Sequence, residues 1–225
     1  DISPLSALIN RWGYNVEGIS NGYATVKSAL EAPEIEASID LDSIDVNGLK
    51  APPQRITSNW DFEANRARVI IFDKRLGDTV IRGYYQPQGN RYWAQARMRN
   101  IKLALISPFL KGIISDIEGD ANILAEIRGE GRQAILSGGA TVDSIGATVD
   151  YTKVRYTAPY ARLSIDSNHI YAERVPVYDP EGHLGHYSMD ISLEHLSNIT
   201  YDIDIDATKM LVLDTDAKDN DLFYG

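Results

Sequence analysis

The amino-acid sequence predicts an all-β protein, and three observations carry that prediction. Apolar and polar residues alternate with period two over long runs, as they do in a strand that buries one face. Turn signals rich in Gly and Asn separate these runs at intervals of roughly 8–14 residues. Only one segment has helical spacing. We therefore expect about twelve antiparallel strands with short connections and one short helix. A sandwich, a barrel or an open curved sheet fits this pattern.

The alternation is clearest in four runs, at residues 34–41, 66–71, 187–194 and 201–207. In the last run, Tyr-Asp-Ile-Asp-Ile-Asp-Ala, one face is apolar and the other is acidic. Gly and Asn supply the positive φ that tight hairpins require. The sequence therefore predicts turns at Ser20–Gly22, Asn47–Gly48, Gln88–Asn90, Gly138–Gly139 and Glu181–Gly182.

One segment has the features of a helix. Ser107 is a good N-cap residue and Pro108 suits the first turn. Apolar residues then recur at helical spacing, at Ile106, Leu110, Ile113 and Ile117. We expect a short amphipathic helix over residues 108–117, which either connects two strands or forms a lid on an apolar groove.

The acidic balance of the chain argues against nucleic acid as a partner. Its 225 residues carry a net charge of -10, which repels phosphate backbones. The stretch Arg91–Arg99 mixes arginines with aromatic residues, but its alternation is that of a strand. Tyr92, Ala94, Ala96 and Met98 share one face and the arginines share the other. We therefore expect no nucleic-acid partner.

No run approaches the roughly 20 apolar residues that a membrane-spanning helix needs. The chain begins at Asp1, and residues Asn220–Gly225 have the pattern of a further strand. We therefore expect a piece of a longer protein, with any membrane anchor outside this segment.

Two groups of residues could hold a metal. His183 and His186 lie near Asp179, Asp190 and His195 in the sequence, but within or beside a Gly-rich turn. A second group, Asp202, Asp204 and Asp206, resembles the start of a calcium loop. Ala207 stands where such a loop needs Gly, so the solvated face of a strand explains these aspartates better. We expect no metal at either place.

Sequence features of an active site are also missing. The chain has no cysteine, which excludes disulfides, thiolate ligands and a cysteine nucleophile. Residues Gly129–Ala134 weakly match a dinucleotide-binding motif, but no helix pattern follows, so a hairpin turn is expected. The sequence predicts no catalytic residue and no cofactor. A carboxylate-based hydrolase and a glycan-binding β module are the rival classes.

The second half of the chain, residues 118–225 together with the preceding helical segment, resembles the C-terminal region of TamB-like proteins of the AsmA superfamily. Residues 1–100 match only as a generic array of strands. The similarity rests on the order of short motifs: Pro108-Phe109-Leu110, Ile117-Glu118-Gly119, the strand Ile123–Gly129, the Gly-rich stretch Leu136–Ala140 taken as a hairpin, the strand end Val154-Arg155-Tyr156, the turn Asp179–His183, and Met210–Thr215 with Lys218–Gly225. Asp214 stands where the family has Asn.

This resemblance implies a fold and a function. TamB-like proteins are anchored in the inner membrane and cross the periplasm of double-membraned bacteria. Their C-terminal part meets an outer-membrane barrel protein of the TamA or BamA type. Their fold is an elongated, curved antiparallel sheet, the β-taco, with an open hydrophobic groove. The resemblance implies a single groove segment over residues 1–225 that carries phospholipid acyl chains between membranes. The alternative is a chaperone-like module for assembly or secretion of outer-membrane proteins and autotransporters.

The residues expected to line this groove are the apolar members of the alternating runs. They are Ile35, Ala37, Ile39, Leu41, Ala67, Val69, Ile71, Tyr92, Ala94, Ala96, Met98, Ile123, Ala125, Ile127, Ala161, Leu163, Ile165, Tyr187, Met189, Ile191, Leu193, Tyr201, Ile203 and Ile205. The alternative for this set is an ordinary dry core.

Overall fold

The fold was analysed in a computed structural model, which describes residues 15–27, 34–194 and 198–215. The described residues form thirteen strands and one 3₁₀ helix. The strands are β1 (Val16–Lys27), β2 (Glu34–Val46), β3 (Leu49–Ala51), β4 (Gln54–Asp61), β5 (Arg66–Asp73), β6 (Asp78–Gln86), β7 (Arg91–Lys102), β8 (Ile114–Glu130), β9 (Gln133–Val149), β10 (Arg155–Asp166), β11 (His169–Tyr178), β12 (Leu184–Glu194) and β13 (Asn198–Ala207). The 3₁₀ helix spans Leu103–Leu110.

Hydrogen bonding between strands follows the chain order. Each strand pairs with the next along the sequence, except that β4 pairs with β2 and β3 pairs with β2 alone. Among residues 15–27, 34–194 and 198–215, the strands at the two ends, β1 and β13, each have one neighbour, so the sheet is open. The predicted all-β class and the open antiparallel sheet are confirmed, with thirteen strands rather than about twelve.

The chain divides into two compact units. The first comprises Asp1–Met98 and Leu124–Ser137, and the second comprises Arg99–Ile123 and Gly138–Gly225. The long strands β7, β8 and β9 therefore contribute residues to both units, and each unit is described separately below.

The predicted helix is displaced and of a different type. Helical backbone occupies Leu103–Leu110 as a 3₁₀ helix, and strand β8 begins at Ile114, so the bounds 108–117 are wrong. Gly112 explains the early end, because its φ of +81° is left-handed and a helix cannot continue through it. Ile117 belongs to the strand instead.

Two predicted turns are also wrong, because their glycines lie inside strands. Ser20–Gly22 belongs to β1, where the pairing with β2 shifts register between Ile19 and Ser20. Gly138 and Gly139 belong to β9, and a Cβ on Gly139 would come within 2.9 Å of the carbonyl oxygen of Leu163. These glycines permit close approach of a neighbouring backbone rather than a reversal. The turns at Asn47–Gly48, Gln88–Asn90 and Glu181–Gly182 are confirmed.

The second unit contains the larger buried cluster, and small residues form it. Its members are Ala121, Val142, Ala158, Ala161, Ala172 and Val175. In three adjacent strands the contributing residues are three positions apart rather than two: Val142 and Ile145, Ala158 and Ala161, Ala172 and Val175. Strict alternation would put one member of each pair on the opposite face.

Local irregularities restore the apolar face at these points. In β11 a bulge between Ala172 and Val175 adds one residue, and Arg174 has a φ of +46°. In β9, Ser144 has a φ of +54°. A bulge bends its strand and re-aims the side chains that follow. The apolar face of the second unit therefore stays continuous where the period-two alternation of the sequence is interrupted.

We expect Ala161→Leu to destabilise the protein. Ala161 is the least exposed member of the buried cluster, at 1%, and overpacking a filled interior costs about 1–3 kcal/mol. Chemical denaturation measures this loss in the free energy of unfolding. Ala24→Leu on β1 is the matched control, because Ala24 is exposed. Equal stability of the two variants would contradict the packing described here.

Candidate functional site

The apolar face of the first unit contains a row of small side chains between two rows of larger ones. Cross-strand pairing places directly opposite residues on the same face. The small-residue row runs across β2, β4, β5, β6 and β7 as Ala37, Ser58, Val69, Gly83 and Ala94. We call this row the furrow floor.

The two flanking rows form the walls of the furrow. On one side lies a ladder of isoleucines that ends in alanine: Ile39, Ile56, Ile71, Ile81 and Ala96. On the other side lie Trp60, Ala67, Tyr85 and Tyr92. Rows on one face are about 6.6–6.8 Å apart, which is twice the rise per residue. The furrow therefore runs across the strands and is apolar on both sides, with Ser58 as the polar residue of its floor.

The aromatic wall is fixed by polar contacts at its tips. The hydroxyl of Tyr92 donates to the carbonyl oxygen of Gln133 at 3.2 Å, and the hydroxyl of Tyr85 contacts Asn90 Oδ1 at 3.0 Å. A side chain at Gly129 would clash with the Tyr92 ring. Gly129 therefore gives the ring the space to lean over the next strand.

For β2, β5 and β7, the sequence placed its predicted residues on one face, and the cross-strand register does the same. The residues from β2, β5 and β7 meet through shared rows. Leu41 is buried at 8% exposure and packs with Ile44, whereas Ile35 is 42% exposed. The prediction missed the contributions of β4 and β6, because Gln54–Asp61 and Asp78–Gln86 carry Ser, Trp and Gly at inward positions.

The apolar face of the second unit is most exposed at β13. Tyr201, Ile203 and Ile205 are 67%, 55% and 57% exposed. They pair with Ile191, Met189 and Tyr187 of β12, all half-buried. Toward β10 the same face continues through the predicted residues Ala161, Leu163 and Ile165 and through residues of β11 that the prediction missed. Burial raises the pKa of the Tyr187 hydroxyl, which stays neutral there.

Two segments cover parts of this second apolar face. Leu103, at the start of the 3₁₀ helix, packs against the buried cluster and lies beside Gly119. At the strand ends, residues 209–215 return from β13 and cross toward β10. We call residues 209–215 the strap. The thioether of Met210 fills the space that a side chain at Gly185 would need, so the strap lies on the apolar side of the sheet.

Asp179 holds the strap in place through hydrogen bonds. Its side chain is fully buried and its Oδ2 accepts the backbone N–H of Leu211 at 2.7 Å. Its Oδ1 accepts the backbone N–H groups of Glu181 and His183 at 3.0 and 2.8 Å. His183 Nδ1 lies 3.0 Å from Oδ2. Burial alone would raise the pKa of Asp179, but these donors outweigh it and lower the pKa to about 2.

Further hydrogen bonds hold the strap along its length. The hydroxyl of Tyr156 donates to the carbonyl oxygen of Leu211 at 2.8 Å, and the N–H of Asp214 donates to the carbonyl oxygen of Thr152 at 2.8 Å. Burial, with the nearby charge of Asp179, raises the pKa of Tyr156 and keeps it a donor. The Asp-x-x-Gly turn and the 210–215 motif are distant in sequence, but these hydrogen bonds join them in the structure.

The structure divides the candidate metal ligands between different places. Asp179, Glu181 and His183 present ligand atoms within 4.8 Å of one another. Both carboxylate oxygens of Asp179 already accept backbone N–H groups. The Asp179 side chain therefore stabilises the turn and the strap. His186 lies on β12 opposite Asp206, and His195 lies outside the described residues. That no metal is required stays a prediction.

Ion pairs and aromatic contacts occupy the opposite, polar face of the first unit. Arg55 donates to Asp40 at 2.8 Å and Lys74 donates to Asp42 at 2.6 Å. The hydrogen bond from Arg55 is the main reason that the pKa of Asp40 is lowered. The rings of Tyr84 and Trp93 stack with centroids 6.0 Å apart. The two faces of this unit thus differ sharply in chemistry.

The chain matches no protein-family description, no curated protein and no solved structure. Among the described residues, no helix has the length and apolar character that a membrane crossing would require.

We expect Asp179→Asn to release the strap. Folding lowers the pKa of Asp179 from 3.8 to about 2, so its ionised form stabilises the fold above pH 3.8 and this contribution is lost as the pH falls toward 2. The variant should unfold at a lower temperature near neutral pH and lose this part of the acid dependence. Hydrogen exchange at the Leu211 amide should accelerate.

Glu181→Gln is the matched control, since Glu181 lies in the same turn with its side chain 66% exposed. It should leave the melting temperature and the exchange rate unchanged. Unchanged protection of Leu211 in Asp179→Asn would show that Asp179 does not hold the strap.

Proposed function

We propose that this protein binds the acyl chains of phospholipids on its apolar sheet faces. The furrow of the first unit is the observation that carries the proposal. Its floor of Ala37, Ser58, Val69, Gly83 and Ala94 is flanked by bulky apolar rows. A linear apolar ligand can lie along such a floor and contact both walls.

The dimensions and energetics of the furrow suit an acyl chain. Its floor crosses five strands, which is four strand spacings or about 19 Å. Each methylene that leaves water contributes about 0.8 kcal/mol, so a long chain gains affinity by continuous contact. Aliphatic walls offer few directional contacts, which allows a chain to slide. Sliding is what a conduit between membranes requires.

The second unit offers a separate apolar surface with a closed end. Tyr201, Ile203 and Ile205 are exposed, while the strap covers the face near Gly185 and Tyr156. An acyl chain on this surface would be bounded by the strap at that end. We propose that the strap limits how far a chain can extend in that direction.

The sequence motifs suggest the setting for this activity. We propose that the chain is a TamB-like segment in the periplasm, part of a longer protein anchored in the inner membrane, that meets an outer-membrane barrel protein of the TamA or BamA type. The order of the motifs supports this placement. In addition, two of those motifs, Asp179–His183 and Met210–Thr215, contact each other through the Asp179 hydrogen bonds.

Filling the furrow should weaken lipid binding. We expect Ser58→Phe to lower the affinity for a fluorescent long-chain fatty acid about tenfold or more, because the ring displaces several methylenes from the floor. Fluorescence titration of the purified chain measures the change. Thr57→Phe is the matched control, since Thr57 is the adjacent residue of β4 on the opposite face.

Both variants must first retain the β-sheet circular dichroism and melting temperature of the parent chain. An equal loss of fatty-acid affinity in Ser58→Phe and Thr57→Phe would contradict binding in the furrow, because Thr57 lies on the opposite face. If Ser58→Phe folds and binds as the parent does, the furrow is not the acyl-chain site.

Photo-cross-linking tests the second unit independently. We expect a photoreactive amino acid at Ile203 to capture phospholipid from vesicles, whereas the same group at Asp204 should not. The two residues are neighbours on β13 but lie on opposite faces, opposite Met189 and Ser188. Mass spectrometry identifies the adduct. Equal capture at both positions, or capture at Asp204 alone, would contradict binding on the apolar face.

A further inference from the structure

Strand β13 is a sheet edge with both of its faces exposed. It pairs with β12 alone, and no other strand of the described residues occupies its outer side. Tyr201, Ile203 and Ile205 are more than half exposed on one face. Half of the backbone N–H and C=O groups of an edge strand point away from its neighbour. This edge can therefore accept an additional strand.

The other face of β13 carries a row of acidic residues with few counter-charges. Asp202 lies directly opposite Asp190 of β12, which places like charges together, and Asp204 lies opposite Ser188. Arg174 approaches Asp206 at 3.8 Å and His169 contacts Asp190 at 3.0 Å. Within the described part of the chain, no cationic side chain forms an ion pair with Asp202 or Asp204.

In the first unit, an acidic strand residue is matched by a base on the neighbouring strand. Asp40 of β2 pairs with Arg55, its register partner on β4. Lys74 also reaches Asp40 and Asp42. Opposite charges across a strand pair stabilise it, and like charges destabilise it. At β13 the acidic strand is present and the basic partner is missing from the described residues.

We propose that the outer edge of β13 binds an extended segment of another protein in which Lys or Arg alternates with apolar residues. Backbone hydrogen bonds extend the sheet by one strand. The basic side chains pair with Asp202, Asp204 and Asp206, and the apolar side chains extend the face of Tyr201, Ile203 and Ile205. This site is an edge and an acidic face, so it does not depend on acyl-chain binding.

A second copy of the chain is a poor occupant of this edge. Antiparallel pairing of two β13 strands sets aspartate rows beside each other, which is unfavourable. Strand β1, the other edge, has the sequence VEGISNGYATVK. It contains one lysine and cannot supply three alternating bases. The aspartates thus oppose self-association while selecting a basic strand.

A peptide titration tests the proposal. The probe is a labelled peptide of 10 residues, the length of β13, in which Lys and Val alternate. We expect saturable binding to the full chain by fluorescence anisotropy. The triple variant D202N/D204N/D206N should bind about tenfold more weakly, as three cross-strand ion pairs are lost. Peptide binding should also protect amides of 198–207 from hydrogen exchange.

Two controls separate this mode from general attraction to an acidic protein. A peptide of the same composition with its lysines in one block should bind no more tightly to the parent than to the triple variant. The variant E36Q/E63Q/E130Q removes the same charge from exposed positions of the first unit and should bind the alternating peptide like the parent.

Several results would overturn the proposal. These are equal binding of both peptides, equal losses in both triple variants, or binding without protection of residues 198–207. Concentration-dependent dimerisation through β13 in the absence of peptide would identify a second copy of the chain as the occupant. That result would also overturn the proposal.

Discussion

Cross-strand register is the constraint on which the rest of this structure depends. Side chains alternate with period two, so a slip of one residue would turn every apolar side chain of a strand to the opposite face. The furrow exists because five strands hold Ala37, Ser58, Val69, Gly83 and Ala94 in one row. The acidic row of β13 depends on the same constraint, since register sets Asp202 beside Asp190.

Register is maintained by exceptions to regular strand geometry as well as by regular pairing. The bulge at Glu173–Arg174 allows both Ala172 and Val175 to reach one buried cluster. Arg174 adopts a positive φ there, a conformation that L residues rarely occupy. The packing of the alanines and valines on either side stabilises this conformation. A strand without the bulge would send Val175 to the polar face.

Asp179 fulfils a related role where the strands end. Strand ends leave backbone N–H groups without a sheet partner, and a buried carboxylate can satisfy several of them. Asp179 does so for the turn and for Leu211 of the strap. The strap, residues 209–215, is thereby fixed on the apolar side of the second unit. One ionised side chain thus couples a hairpin to a segment about thirty residues further along.

The alternating sequence by itself determined the all-β class, the strand faces of the clearest runs and three of the five turns named from it. It did so because period-two patterning and the positive-φ preference of Gly and Asn are local properties. It placed Ile39, Val69 and Ala94 on inward faces, and the aspartates of residues 202–206 on an outward face, as found.

Only the tertiary structure decided which of these residues meet, because register, bulges and the strap depend on contacts between distant parts of the chain. It placed Ser58 and Gly83 in the furrow floor, although neither has the apolar bulk that marks an inward residue in a sequence. It moved the helical segment to Leu103–Leu110 and absorbed Gly138 and Gly139 into a strand. It also joined Asp179 to Leu211, a contact that no local pattern specifies, since a hydrogen bond across 32 positions forms only when the sheet brings its partners together.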